Sequence, residues 1–160
     1  MSTITYAVWA LAAGALIPLM AILNGGLARA LGGSIQASLM LFATGFVACL
    51  VLAIVTSARP PALPILARIP AQQFAGGLIV VFYVLSITFL APRFGVGNAI
   101  LFAVTAQLLT AAAIDHYAIA GAALRPVTTM RAIGLLVVIT GVVLTQAGDR
   151  VVAALRQMLA

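Results

Sequence analysis

Five apolar stretches alternate with short polar connections, and each is close to the roughly 20 residues a bilayer core requires of a helix. They run from about Ile4 to Leu23, Ser34 to Thr56, Phe74 to Ala91, Val96 to Ile114 and Met130 to Gln146. Apart from Arg131 at the start of the fifth, none holds a charge. The pattern predicts an all-α membrane domain of five spanning helices over residues 1–148. The tail 149–160 places Val151, Val152, Leu155 and Leu159 on one face, which predicts a short amphipathic helix at the membrane surface. With no Lys or Arg ahead of it, the first stretch reads as a retained helix and not a cleaved signal.

The breaks follow from local chemistry. Pro18 has no N–H to offer the carbonyl of Gly14, so the first span should kink and leave an oxygen free at membrane depth. Asn24-Gly25-Gly26 is expected to end or loosen that helix, and Ser34 to cap the second. Three prolines at positions 60, 61 and 64 prevent Ala58–Pro64 from being helical throughout. Pro92-Arg93-Phe94-Gly95 stops the third span and Asp115-His116 the fourth.

Composition agrees: 65% of residues are hydrophobic and 6% charged, outside the range of soluble domains. All eight basic residues are arginines scattered singly at span ends, so the net charge of +6 reads as interface anchoring and argues against nucleic acid. The lone Cys49 has no partner for a disulfide or a metal site.

The arginines divide evenly across the bilayer. With five spans, Arg59, Arg68, Arg125 and Arg131 share one side, and Arg29, Arg93, Arg150 and Arg156 the other. Orientation normally follows an excess of Lys and Arg on the cytoplasmic side, and here neither side wins. Such a chain can insert both ways and pair with its own inverted copy, as in inverted-repeat transporters. The alternative is a small bias, or snorkelling of Arg29 and Arg93, that settles one orientation. No repeat is visible within the chain, so a pseudo-symmetric assembly needs a second copy.

Few residues carry candidate chemistry. Pro18 and Asn24 mark the broken first helix. On the fourth span Asn98, Thr105 and His116 fall within about 20° of one another at 100° per residue, with Leu109 interrupting the stripe and Gln107 opposite. Asn98 and Gln107 are therefore alternative path residues, or else contacts between helices. Asp115 and His116 are the best candidates to bind a cation or carry a proton, or they simply face water. Gly134, Gly141 and Gly148 repeat every seven residues, a spacing that suits close approach of two helices in dimer packing or within the chain. No nucleophile–base pair, metal-ligand cluster or phosphate loop points to an enzyme or a cofactor.

Several segments resemble a known family. Asn24-Gly25-Gly26-Leu27-Ala28 with Ala37-Ser38-Leu39 and Gly45, then Ala91-Pro92-Arg93-Phe94-Gly95, Gln107-Leu108 and Ile114-Asp115-His116, are similar to the YdcZ-like branch of the drug/metabolite transporter superfamily. Arg125-Pro126, Arg131-Ala132-Ile133-Gly134 and Gly141-Val142-Val143-Leu144 extend the likeness to about residues 5–147. The family often carries a Gln a few positions before the Asn, where this chain has Met20 or an apolar neighbour.

The resemblance implies a multi-pass protein of the bacterial inner membrane, half of a ten-helix inverted-repeat transporter. The expectation is an antiparallel homodimer, or a pair with an inverted paralogue, that moves a small molecule by alternating access among membrane lipid. Its path would run past Pro18, Asn24, Tyr83, Ser86 and either Asn98 or Gln107, with Arg93, Asp115 and His116 as charged gates or coupling groups. Two other readings compete: a non-transporting membrane scaffold, and a small multidrug-type cation exporter, which a missing central acid disfavours.

Overall fold

The computed structural model describes the backbone of residues 3–59 and 61–159; for residues 149–151, 153–156 and 159 it describes the backbone alone. The described residues form helices and loops without a strand. The long helices are α1 (Thr3–Leu31), α2 (Ser34–Val55), α4 (Ala75–Phe94), α5 (Val96–Tyr117) and α6 (Thr129–Leu159). A single turn, α3 (Leu63–Leu66), and two 3₁₀ turns at Ala71–Phe74 and Ile119–Gly121 lie in the loops. Five segments are long and apolar enough to cross a membrane.

Three boundaries differ from the sequence reading. Helix α1 continues through Asn24, Gly25 and Gly26 to Leu31. Two glycines cost about 1 kcal/mol each in a helix, but lipid offers no other partner for the freed backbone groups, so the helix persists. It ends instead at Gly32, whose φ of 84° is left-handed backbone that glycine adopts without a Cβ penalty. The N-cap of α2 is Gly33 and not Ser34, and no side chain caps it. Helix α6 runs past Gly148 without a break; of the amphipathic face expected of the tail, Val152 is exposed and Val151, Leu155 and Leu159 have side chains outside the described residues.

The chain divides into two compact units, residues 1–99 and 100–160. In the first, α1, α2 and α4 pack on one another. A two-residue link makes α1 and α2 antiparallel neighbours. The shared interior is small: Ala21, Ala37, Val84, Ile87 and Ala91, with Asn24, Ser38 and Thr88. Small side chains let the helices approach closely, which is how helices adhere in lipid where burial of apolar surface gives no drive. Large apolar groups such as Trp9, Phe46, Leu78 and Phe82 lie outside, as lipid-facing residues do. In the second unit Ala112 and Val142 are buried.

Candidate functional site

Polar groups make up much of the interior of the first unit, and each of its three long helices supplies one. Asn24 of α1, Ser38 of α2 and Thr88 of α4 are 3%, 3% and 1% exposed. The Nδ2 of Asn24 donates to the Oγ1 of Thr88. The Oδ1 of Asn24 and the Oγ of Ser38 are buried without a partner. An unmet polar atom costs about 1–3 kcal/mol, and two in so small an interior point to a use beyond packing.

These residues lie near one end of the three-helix cluster. At about 1.5 Å per residue, Asn24 is about 10 Å from the end of α1, Thr88 about 9 Å from the end of α4, and Ser38 about 6 Å inside the start of α2. Asn24 and Thr88 each line a cavity. One, of about 350 Å³, lies between α1 and α2 and is lined by Leu16, Leu19, Met20, Leu23, Leu27, Met40 and Leu41, with Asn24 and Thr44 as its polar members. The other, of about 500 Å³, is lined by Gly25, Ala28, Arg29, Ser34, Thr88, Pro92 and Arg93 among others. The Asn24–Thr88 bond therefore joins a residue of the apolar cavity to a residue of the arginine-bearing one. Gly25 is buried and lines the second cavity, and a Cβ added there would meet nothing within 4 Å.

Arg93 is held against its own helix. Its Nη1 donates to the carbonyl of Phe89 at 2.8 Å, and its guanidinium sits 3.8 Å from the centre of the Phe89 ring. A guanidinium has five donors, so others remain for a ligand.

In the second unit, Asp115, His116 and Arg131 form one cluster. Arg131 Nη2 reaches Asp115 Oδ2 at 2.8 Å, both side chains about a third exposed. His116 Nδ1 accepts the N–H of Val127 at 3.0 Å, and the Asp115 carbonyl accepts the N–H of Arg125 at 2.8 Å. The contacts of Val127 and Arg125 pin the loop after α5 back onto its end, and that of Arg131 ties the start of α6 to it. Arg131→Gln is expected to lower stability by only about 0.2–1 kcal/mol, as partly exposed pairs do. Thermal melting of the purified protein checks this; a much larger loss would make the pair the anchor of the loop.

The other sequence-derived candidates are dispersed. Pro18 is half-buried inside α1. Tyr83 and Ser86 are half-buried on α4, beside the buried face formed by Val84, Ile87, Thr88 and Ala91. Asn98 donates to the carbonyl of Phe94 at 2.9 Å, tying the start of α5 to the end of α4. Thr105 returns its hydroxyl to Leu101, and Gln107 is exposed on the part of α5 within the second unit. A Cβ at Gly134, Gly141 or Gly148 would meet nothing within 4 Å. Among the described residues no group of His, Cys, Asp and Glu could hold a metal ion.

Sequence reasoning found Asn24 and missed Thr88 and Ser38. The available signal was placement: Asn24, Ser38 and Thr88 fall at matching depths once α2 is aligned antiparallel to both α1 and α4.

Comparison with known proteins agrees with this architecture. The model of the family described as "Putative inner membrane exporter, YdcZ" matches residues 5–144. No curated protein and no solved structure matches the chain.

Proposed function

The chain belongs to the YdcZ family of inner membrane exporters, and from that membership we propose that it exports a small molecule by alternating access as an antiparallel homodimer. It is a multi-pass inner membrane protein with five spanning helices, and its family comprises transporters and not enzymes. Two inverted copies would supply ten helices related by a two-fold axis in the membrane plane. The even division of arginines supports insertion both ways. The glycines of α6 support contact with a second copy, because each leaves room for a close neighbour. A bacterial origin accords with an inner membrane.

One observation carries the transport reading over a passive scaffold. The interior of the first unit buries unsatisfied polar atoms at Asn24 and Ser38 beside two cavities. A scaffold gains nothing from them, whereas a solute in transit can satisfy them as it passes. The path therefore runs along α1, α2 and α4, with Pro18, Tyr83 and Ser86 flanking it and Arg93 at its mouth. Asn98, in the first unit, and Gln107, in the second, remain alternative path residues on α5. With no acid anywhere in residues 1–99, this path does not suit a cation exporter.

Accessibility to water tests the proposal. In a Cys49→Ala background, Gly25→Cys is expected to react with a water-soluble thiosulfonate as readily as Ala58→Cys in the loop. Phe82→Cys, on the lipid-facing side of α4, should stay inert. An inert Gly25→Cys would leave the scaffold reading standing.

A further inference from the structure

The two cavities differ in chemistry, and the difference selects a ligand. We infer that the cavity of Arg29 and Arg93 takes the oxyanion end, carboxylate or phosphate, of an amphipathic organic anion. The Leu- and Met-lined cavity beyond the Asn24–Thr88 bond takes its apolar end. The inference rests on the transport reading only for what happens to the anion after it is bound.

Charge is the first argument. Arg29 and Arg93 come from the last turns of α1 and α4 and line one cavity of about 500 Å³. Residues 1–99 contain no Asp or Glu, so nothing in this unit neutralises them. Each lies at its helix C-terminus, where a cation is favoured, but two cations on one cavity repel unless an anion sits between them. The carbonyl of Phe89 occupies a single donor of Arg93. A planar fork of N–H groups matches a carboxylate or phosphate in bidentate geometry.

The floor of the cavity fits the same ligand. Ser34 opens α2 there, and the first backbone bond of that helix is made by the N–H of Ala37 to the carbonyl of Gly33. With no side chain capping α2, the N–H groups of its first turn are available to an anion. Thr88 adds a buried hydroxyl that already couples to Asn24.

The second cavity supplies the other half. It has seven Leu and Met side chains against one amide and one threonine, and Leu16, Leu19, Leu23 and Met40 are also exposed on the surface of the unit. Asn24 lines this cavity and Thr88 lines the other, so the bond between them links the two. In this arrangement the bond lies between the head and tail positions, and the Oδ1 of Asn24 has no partner of its own.

Calorimetric titration of the full chain in phosphatidylcholine nanodiscs tests this without reference to transport. Octyl phosphate and octanoate should bind; octylammonium and octanol should not. Inorganic phosphate should bind at least tenfold more weakly than octyl phosphate, as expected for loss of the apolar end. Arg29→Gln and Arg93→Gln should each weaken octyl phosphate about tenfold or more, the worth of a charge-assisted contact, with Arg29→Lys partly restoring it. Melting temperatures of the variants separate lost binding from lost fold. Nanodiscs containing phosphatidylglycerol identify the source: competition with octyl phosphate assigns the site to a lipid headgroup, and its absence to a soluble organic anion. Equal binding of octylammonium, or unchanged affinity in both Gln variants, would overturn the inference. If binding holds while Gly25→Cys stays inert, the site stands and the transport reading fails.

Discussion

Replacing Thr88 by valine is expected to destabilise the first unit by about 1–2 kcal/mol, while replacing both Thr88 by valine and Asn24 by leucine should leave it at least as stable as the natural protein. The single change keeps the shape of residue 88 but removes the acceptor of the Asn24 amide, which is 3% exposed and has no water to turn to. Asn24 would then hold an unpaired donor in addition to its unpaired Oδ1. The double change removes every one of those atoms and substitutes apolar groups of similar size. Ser38→Ala belongs to the same series: it deletes a hydroxyl without a partner and should cost nothing in the empty protein. Thermal melting of the three variants and the natural protein in one detergent decides it. A Thr88→Val protein as stable as the original would mean that the bond carries no net stability. A double variant as weak as the single one would give Asn24 a different role. Stability kept and octyl phosphate binding lost in the double variant is the signature of groups retained for a ligand.

The second large effect concerns insertion. A reporter fused to the C-terminus should read both sides of the membrane, since four arginines stand on each. Ala58→Lys with Ala62→Lys adds two charges to the side of the 57–73 loop and should hold that loop in the cytoplasm, sending nearly every C-terminus outward. Ala30→Lys with Gln36→Lys loads the opposite side and should bring nearly every C-terminus inward. Each variant alone should lose the dimer, and co-expression of the two should restore it. A reporter on one side only in the unaltered chain would exclude self-inversion and require a separate inverted partner.

The number and approximate placement of the long helices are legible in the sequence because lipid imposes a simple rule of length and apolarity. Asn24 is legible for a related reason: an amide at the end of about 20 apolar residues is costly unless used. Thr88 and Ser38 are not. A hydroxyl in an apolar helix usually returns its hydrogen to its own backbone, as Thr44, Thr56, Thr105 and Thr140 do here. Nothing local distinguishes Thr88 from those four; its use is set by α1 crossing α4. The run Asn24-Gly25-Gly26 misleads in the opposite direction, because glycine's conformational freedom breaks a helix readily only where freed backbone groups find partners in water.

The polar cluster lies within about 10 Å of one end of α1, α2 and α4, and not halfway along them. Two copies inserted head to tail would place these clusters near opposite surfaces of the bilayer, one opening to each compartment. The assembly would then be a relay with two docking stations, in which cargo is handed from one copy to the other across the waist of the dimer. Each crossing would depend on both copies in turn, so a single defective copy would halt traffic in a mixed pair.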